Sequence, residues 1–224
     1  MLKKIFVFIT VLTLLSSCNE KFDHLKFEKE VAYEIFPQLM DSIHSDSRIK
    51  LPTPPPPPID DNESPIIDTI SWEQFQKDIE RQERELYQDS VKLVIAISDS
   101  TLILEQNDKN YLLKHFDLDE NSLDTTNIDS RYKIKLEKLK ADDKIRFKYS
   151  SEFPEGSKTW KSDYQFFLNA VVSYGRIQFD KTLSFGVLTT RYTSGPLSGG
   201  RYRIFIKKEN NRWIIDKIVL TAVA

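Results

Sequence analysis

The stretch Arg201-Tyr-Arg-Ile-Phe-Ile-Lys-Lys-Glu-Asn-Asn-Arg-Trp-Ile-Ile-Asp-Lys-Ile-Val-Leu-Thr221 decides the fold class. Both of its halves, 201–208 and 212–221, are rich in β-branched and aromatic residues, which is typical of strands. Between them, Asn210 and Asn211 tolerate the positive φ that a tight hairpin turn requires. The stretch therefore predicts a β-hairpin.

More strands are predicted on the N-terminal side of this hairpin. Val171–Phe179 and Ser184–Thr193 would join it through a turn at 180–181 and a Gly/Pro/Ser loop at 194–200, which completes an antiparallel meander. Upstream of the meander the strand candidates are a buried run at 91–97, two alternating segments at 133–136 and 144–149, and weaker segments at 101–104 and 111–113.

A helix is predicted at 71–89. Ser71 followed by Gln74 is a capping-box signature, and an apolar stripe then recurs at helical spacing. The stripe consists of Trp72, Phe75, Ile79 and Leu86. We expect it to pack on one face of the meander, which makes residues 71–224 an α+β domain.

Residues 18–70 are predicted to be a tether. Residues 18–50 favour a helix, which Pro37 is expected to break or kink because it disfavours helical backbone at Phe36. The linker 51–70 begins with a proline run that favours polyproline II. The favoured interpretation is a stiff spacer that holds the domain off a membrane, and the alternative is a ligand for a proline-binding groove.

The first 17 residues predict a lipoprotein signal peptide. Lys3 and Lys4 precede the apolar run Ile5–Leu15, which is well short of the ~20 residues of a membrane-spanning helix. Leu15-Ser-Ser-Cys18 resembles the bacterial lipobox, in which the cysteine thiol receives lipid. Cys18 is therefore the predicted lipidation site, on the outer rather than the inner membrane. The alternative is an ordinary signal peptide or an uncleaved anchor.

Composition excludes some functions. The chain has 32 basic and 34 acidic residues, and loss of Lys3 and Lys4 with the signal peptide would leave 30 against 34. Without a basic excess, nucleic acid is not an expected partner. Because Cys18 is the only cysteine, a lipidated chain has no disulfide and no cysteine nucleophile. No cofactor is indicated.

Five parts of the sequence carry a family resemblance: Phe179-Asp-Lys-Thr, Gly195-Pro-Leu-Ser-Gly-Gly200, the segment 205–216, the segment 35–43 and the proline run. Through them, about half of the chain resembles uncharacterised lipoproteins of Bacteroidota. It implies a C-terminal β-meander module with a Gly-rich loop. It also implies that relatives have cysteines at the positions that Ser194 and Ser198 occupy in this chain. It implies no activity.

Motifs for metal binding or catalysis are incomplete. The segment 117–124 begins like a calcium loop, but Ser122 and Ile128 replace the glycine and the glutamate that such a loop needs, so we favour a solvated acidic loop. His115 beside Asp117 is a weak candidate for a base, and an exposed loop histidine is favoured. No zinc motif joins the histidines. A lone S-x-x-K at 130–133 lacks its companion motifs.

The loop 194–200 is the candidate binding surface. Its glycines permit positive φ or the close approach of another backbone, and flanking tyrosines supply contact area, although a wide bulged turn is the simpler interpretation. The candidate binding residues are Tyr192, Ser194, Gly199, Gly200 and Tyr202. The favoured function is a non-enzymatic binding or structural lipoprotein of the cell envelope with a membrane or envelope-protein partner. The alternatives are a hydrolase with a dispersed carboxylate site and a membrane-held immunity or inhibitor protein.

Overall fold

The computed structural model describes residues 22–50, 71–126 and 130–223. The predicted signal peptide, Cys18 and the proline run lie outside the described residues. In the described part, the helices are α1 (His24–Ile43), α2 (Trp72–Gln88), α3 (Asp108–Phe116) and the short α4 (Lys158–Lys161). The strands are β1 (Leu93–Ile97), β2 (Ile145–Tyr149), β3 (Phe167–Tyr174), β4 (Gln178–Phe179), β5 (Phe185–Gly195), β6 (Ser198–Glu209) and β7 (Arg212–Val223).

The strands of the described residues form one mixed sheet of seven strands in the order β2-β1-β3-β5-β6-β7, with β4 paired to β5. Strands β2, β1 and β3 run parallel to one another, whereas β5, β6 and β7 form an antiparallel meander. The α+β class and the C-terminal meander are therefore confirmed. The parallel half of the sheet was not predicted.

The hairpin between β6 and β7 is confirmed in detail. Asn210 and Asn211 adopt φ values of 48° and 63° between the paired residues Glu209 and Arg212. A two-residue turn with positive φ at both positions matches the right-handed twist of the flanking strands.

Three strand predictions are wrong and a fourth is divided. The segment 111–113 lies inside α3, and the segments 101–104 and 133–136 form only isolated bridges, at Leu102 and Lys133. The predicted strand 171–179 is divided between β3 and β4. None of these errors moves the meander.

Helix α1 belongs to the core of the domain, so its assignment to a tether needs correction. Six apolar side chains on one side of α1 are at most 3% exposed and pack against the sheet; they are Val31, Ala32, Ile35, Phe36, Leu39 and Met40. Apart from Ala32, each of these burials contributes about 1.5–3 kcal/mol. The helix also continues through Pro37 without the expected break.

Helix α1 also hydrogen-bonds backbone groups of β7, the edge strand of the sheet. Glu34 accepts a hydrogen bond from the Trp213 N–H, and Gln38 bonds both the Trp213 carbonyl and the Ile215 N–H at 3.0–3.1 Å. A covered edge strand is protected against pairing with another chain.

Helix α2 forms where predicted but does not pack on the meander. Its N-cap is confirmed, because the Ser71 side chain accepts a hydrogen bond from the Gln74 N–H. None of its residues is buried, and Trp72 and Tyr87 are 55% and 68% exposed. The two helices therefore exchange the roles that the sequence suggested: α1 fills the core and α2 lies outside it.

The opposite face of the sheet is covered as well. Leu112 of α3 is fully buried against Val187 and Phe205, whereas the neighbouring Leu188 and Ile204 point to the α1 side. The meander was expected to be covered on one face, but the sheet has a core on each side. No helix of the described residues is long and apolar enough to cross a membrane.

A buried ion pair fixes α1 on the sheet. Arg176 donates two hydrogen bonds of 2.7 Å to the two carboxylate oxygens of Glu28, and the Ile177 N–H donates a third at 3.0 Å. Both charged side chains are 3% exposed. Such a pair is satisfied only when the helix sits in one register on the sheet.

We therefore expect Glu28→Ala to lower the free energy of unfolding by about 3–5 kcal/mol, because it removes the acceptor of these buried donors. Glu30→Ala, on an exposed side of the same helix, should change it by less than about 0.5 kcal/mol. Urea denaturation of both variants checks the prediction. Equal stability of the two variants would contradict the placement of α1.

Candidate functional site

The predicted binding loop at 194–200 is a short hairpin. Gly195 pairs with Ser198, so the residues from Ser198 onward belong to β6. Ser194 and Ser198 hydrogen-bond through their hydroxyls at 3.0 Å, and Leu197 at the tip is 89% exposed. Of the glycines, only Gly156 has a positive φ. The expected left-handed backbone is therefore absent from this loop.

Close packing explains the two glycines at the start of β6. A Cβ atom on Gly200 would lie 2.8–2.9 Å from the ring of Tyr202, and one on Gly199 would lie 3.2 Å from the Tyr192 carbonyl oxygen. These contacts are within the chain and indicate a structural role.

Tyr192 is not a surface residue. It is 5% exposed, and its hydroxyl contacts the Ser45 carbonyl oxygen at 3.3 Å. Tyr202 is half-buried and packs against the main core. The prediction that these tyrosines present contact area beside the loop is therefore wrong for Tyr192, which points into the protein towards the end of α1.

A polar cluster surrounds the Tyr192 hydroxyl. The Asn169 side chain, fully buried on β3, accepts a hydrogen bond from the Ser47 N–H at 2.8 Å. Its amide nitrogen then faces the Ser45 carbonyl oxygen and His44 Nε2, both at 2.9 Å. Because the amide nitrogen is a donor, His44 Nε2 must be the acceptor, and the ring proton lies on Nδ1.

Next to this cluster, a cavity of about 420 Å³ opens between the end of α1, α2 and the starts of β1 and β2. We call it the α1–α2 pocket. Its apolar lining consists of Met40, Ile49, Leu86, Tyr87, Leu93 and Ile145. Its volume lies within the range of about 300–1,000 Å³ that is usual for small-molecule sites.

Acidic groups outnumber basic groups around this pocket. Asp41, Asp46, Glu83 and Asp142 line it together with Arg48 and Lys144. Both cations already have partners: Arg48 binds Asp46 and Asp89 at 2.6 Å each, and Lys144 binds Asp89 at 3.1 Å. In the described part of the chain, Asp41, Glu83 and Asp142 form no ion pair, so the pocket has an excess of negative charge.

Several polar contacts hold α2 over the pocket. Gln82 exchanges two hydrogen bonds with the backbone of Lys50 at 2.8 and 2.9 Å, and Lys144 donates to the Leu86 carbonyl oxygen at 2.9 Å. Since no residue of α2 is buried, little apolar surface resists its displacement. Such an element belongs to the less stable part of a structure.

Two titrating groups at the pocket have shifted pKa values. Burial lowers the pKa of His44, although Asp46, Asp142 and Asp41 act in the opposite direction. Burial raises the pKa of Asp46, but the hydrogen bonds and charge of Arg48 outweigh this effect and leave that pKa below its usual value. Asp46 is thus ionised near neutral pH.

The other candidate residues do not converge on a site. His115 Nε2 lies 2.7 Å from Asp216 and its ring stacks on Phe205, while Asp117 ends α3 with a φ of 51°. Asp117 is therefore not the orienting carboxylate of His115. Within residues 22–50, 71–126 and 130–223, no group of three or more histidine, cysteine or carboxylate side chains is arranged to hold a metal ion.

No protein-family model, curated protein or solved structure matches this chain.

Sequence reasoning missed the pocket because its parts are far apart in the chain. His44 and Asn169 are separated by 125 residues and meet only because α1 lies on the sheet. The sequence contained one usable signal, the apolar stripe along one side of α1. A helix that served only as a tether would not need such a stripe.

We expect His44 to make stability depend on pH. Its folded-state pKa lies below the value of about 6.5 in the unfolded chain, so the stabilisation is complete above about pH 6.5 and is lost as the pH falls through the folded-state pKa. Protonation of His44 Nε2 would also turn it into a donor that faces the Asn169 amide nitrogen, which is itself a donor.

Urea denaturation at about pH 7.5 and about pH 5 should show a larger loss of unfolding free energy in the wild type than in His44→Gln, which does not titrate. Carboxyl groups remote from His44 titrate alike in both proteins and cancel in the comparison. An equal loss would show that His44 is not held neutral.

Proposed function

We propose that this chain is a non-enzymatic binding protein of the cell envelope, held on a membrane by lipid on Cys18, and that the α1–α2 pocket is its ligand site. The observation that carries the binding role is the pocket itself, about 420 Å³ with an apolar lining. The lipobox-like Leu15-Ser-Ser-Cys18 supports the anchor.

The chemistry of the pocket favours an apolar ligand with a positive charge. The apolar floor, including Met40 and Leu93, excludes water from a hydrocarbon body. Asp41, Glu83 and Asp142 at the rim offer carboxylates to a cationic group. A small amphipathic cation and a lysine or arginine side chain of an envelope partner share this chemistry.

The proline run has a different place in this proposal from the one the sequence suggested. It follows Lys50 and precedes Ser71, and both residues belong to the folded domain. Since α1 lies between Cys18 and the run, the run cannot space the domain from the membrane. The described residues that flank 51–70 are Lys50 and Ser71, and the Lys50 N–H donates a hydrogen bond to Gln82 of α2.

The hydrolase alternative has less support. A general acid at neutral pH needs a raised pKa, whereas Arg48 keeps the pKa of Asp46 below its usual value. The pKa of Asp108 is raised to about 6 by burial, but Asp108 lies on α3, away from the pocket.

The test uses two probes of equal length and opposite charge. Decylamine should bind the protein in isothermal titration calorimetry more tightly than decanoate, since both offer the same hydrocarbon body. The double variant Glu83→Gln, Asp142→Asn should weaken decylamine binding by about 1 kcal/mol, roughly fivefold in Kd. The amides keep the size of the side chains.

Glu155→Gln with Asp163→Asn is the matched control, because it removes the same charge from exposed residues outside the pocket. This control should bind decylamine like the wild type. Equal binding of the two probes, or equal weakening in both double variants, would contradict the proposed site.

A further inference from the structure

A second cavity lies along the other end of α1. It is an open groove of about 920 Å³ between the first half of α1 and the segment 133–140. We call it the lysine groove, because it is lined by Lys26, Lys29, Lys133, Lys135, Lys138 and Lys140.

Folding forces these lysines together. Ile134 and Leu139 are buried in the main core, so the alternating lysines of the segment 133–140 must point outward. The Tyr33 hydroxyl of α1 accepts a hydrogen bond from the Lys135 N–H at 3.1 Å and holds the segment beside the helix. The groove is therefore a fixed surface of the domain.

The groove has a net positive charge. Six lysines line it against three carboxylates, Asp23, Glu30 and Glu34. Glu34 already accepts a hydrogen bond from the Trp213 N–H, and in the described part of the chain none of the six lysines forms an ion pair. Glu137, in the same segment, reduces the excess by one charge. Since the whole chain has a net charge of −2, the groove is a local concentration of positive charge.

The groove is also close to Cys18 in the sequence. Only five residues lie between Cys18 and His24, the first residue of α1, so these two positions can be at most about 20 Å apart. Phe22, beside the start of the helix, is 54% exposed. A lipid on Cys18 would therefore bring the lysine groove to the surface of the bilayer.

We propose that the lysine groove binds the phosphate groups of anionic phospholipid headgroups, and that it is the face that the domain turns to its membrane. This inference rests on the proposed lipidation of Cys18. Lysines near an anionic bilayer are attracted within a Debye length, about 8–10 Å at moderate salt, and a lipid anchor on a short link allows them to come within that range. A lipid chain and a basic patch together anchor a protein more firmly than one chain alone.

The test uses the full-length protein extracted from membranes in detergent and reconstituted into vesicles of phosphatidylcholine alone or mixed with phosphatidylglycerol. Brief acetylation followed by mass spectrometry measures the accessibility of each lysine, and the intact mass reports the lipid. We expect the groove lysines to react several-fold more slowly on vesicles with phosphatidylglycerol, and high salt should abolish the difference. Lys109, Lys158 and Lys217 are exposed, lie outside the groove and should react equally on both vesicles.

Matched variants separate the groove from total charge. The quadruple variant of Lys133, Lys135, Lys138 and Lys140 to glutamine should lose the protection of Lys26 and Lys29. The same change at Lys109, Lys158, Lys161 and Lys217 should keep it. Equal reactivity of the groove lysines on the two vesicle types, or equal loss in both quadruple variants, would overturn the proposal.

The anchor and the groove fail in different ways. An intact mass without lipid would show that the proposed lipidation is wrong, whereas a lipidated protein without protection would show that only the groove assignment is wrong. If the protein carries no lipid, sedimentation with the same vesicles tests the groove assignment. The assignment is supported if the protein prefers vesicles with phosphatidylglycerol and only the groove variant loses this preference. It is overturned if the protein shows no preference. Inorganic phosphate is added as a competitor. If it restores acetylation of the groove lysines without releasing the protein from the vesicles, the groove assignment is also overturned.

Discussion

The ion pair between Glu28 and Arg176 fixes the position of α1, on which the rest of the structure depends. Removing two charges from water is costly, and here the cost is offset by two hydrogen bonds between the side chains and a third from the Ile177 N–H. Apolar contacts alone would allow α1 to slide along the sheet. The ion pair is satisfied in one register only, which provides specificity in addition to the stability of the apolar core.

The register of α1 determines both ends of the domain. His44 follows Glu28 by 16 residues, or about 24 Å along the helix and its end, and this distance places it against Asn169 on β3. In the middle of the helix, the Tyr33 hydroxyl accepts a hydrogen bond from the Lys135 N–H and aligns two rows of lysines. One helix thus contributes to both an acidic pocket and a basic groove. The opposite charges of the two sites match the two partners that we propose, a cationic ligand for the pocket and an anionic membrane for the groove.

Local patterns in the sequence predicted what local interactions determine. The β6–β7 hairpin follows from Asn210 and Asn211 between alternating strands, and the start of α2 follows from Ser71 and Gln74. The parallel pairing of β1 with β2 and β3 joins segments about 50 and 75 residues apart, and no turn signal specifies such a pairing.

The roles of the two helices were exchanged because an apolar stripe does not show what it packs against. The stripe on α2 stands next to the predicted strands in the chain, whereas α1 precedes a proline run that resembles a domain boundary. The buried pair of Glu28 with Arg176 spans 148 residues and has no local signature. The lysine groove had a partial signal, since the alternation of Lys133 and Lys135 with apolar residues already places them on one side of the chain.

Native-state hydrogen exchange of α1 tests most directly whether this helix is part of the core. The account predicts that the amides of Ile35 and Leu39 exchange only through global unfolding, with the same free energy as the amides of Ile204 and Ile206 in β6. The amides of α2 should exchange at a much lower free energy, since nothing in that helix is buried. If the amides of α1 exchange as easily as those of α2, then α1 is a loosely attached tether and the account is wrong.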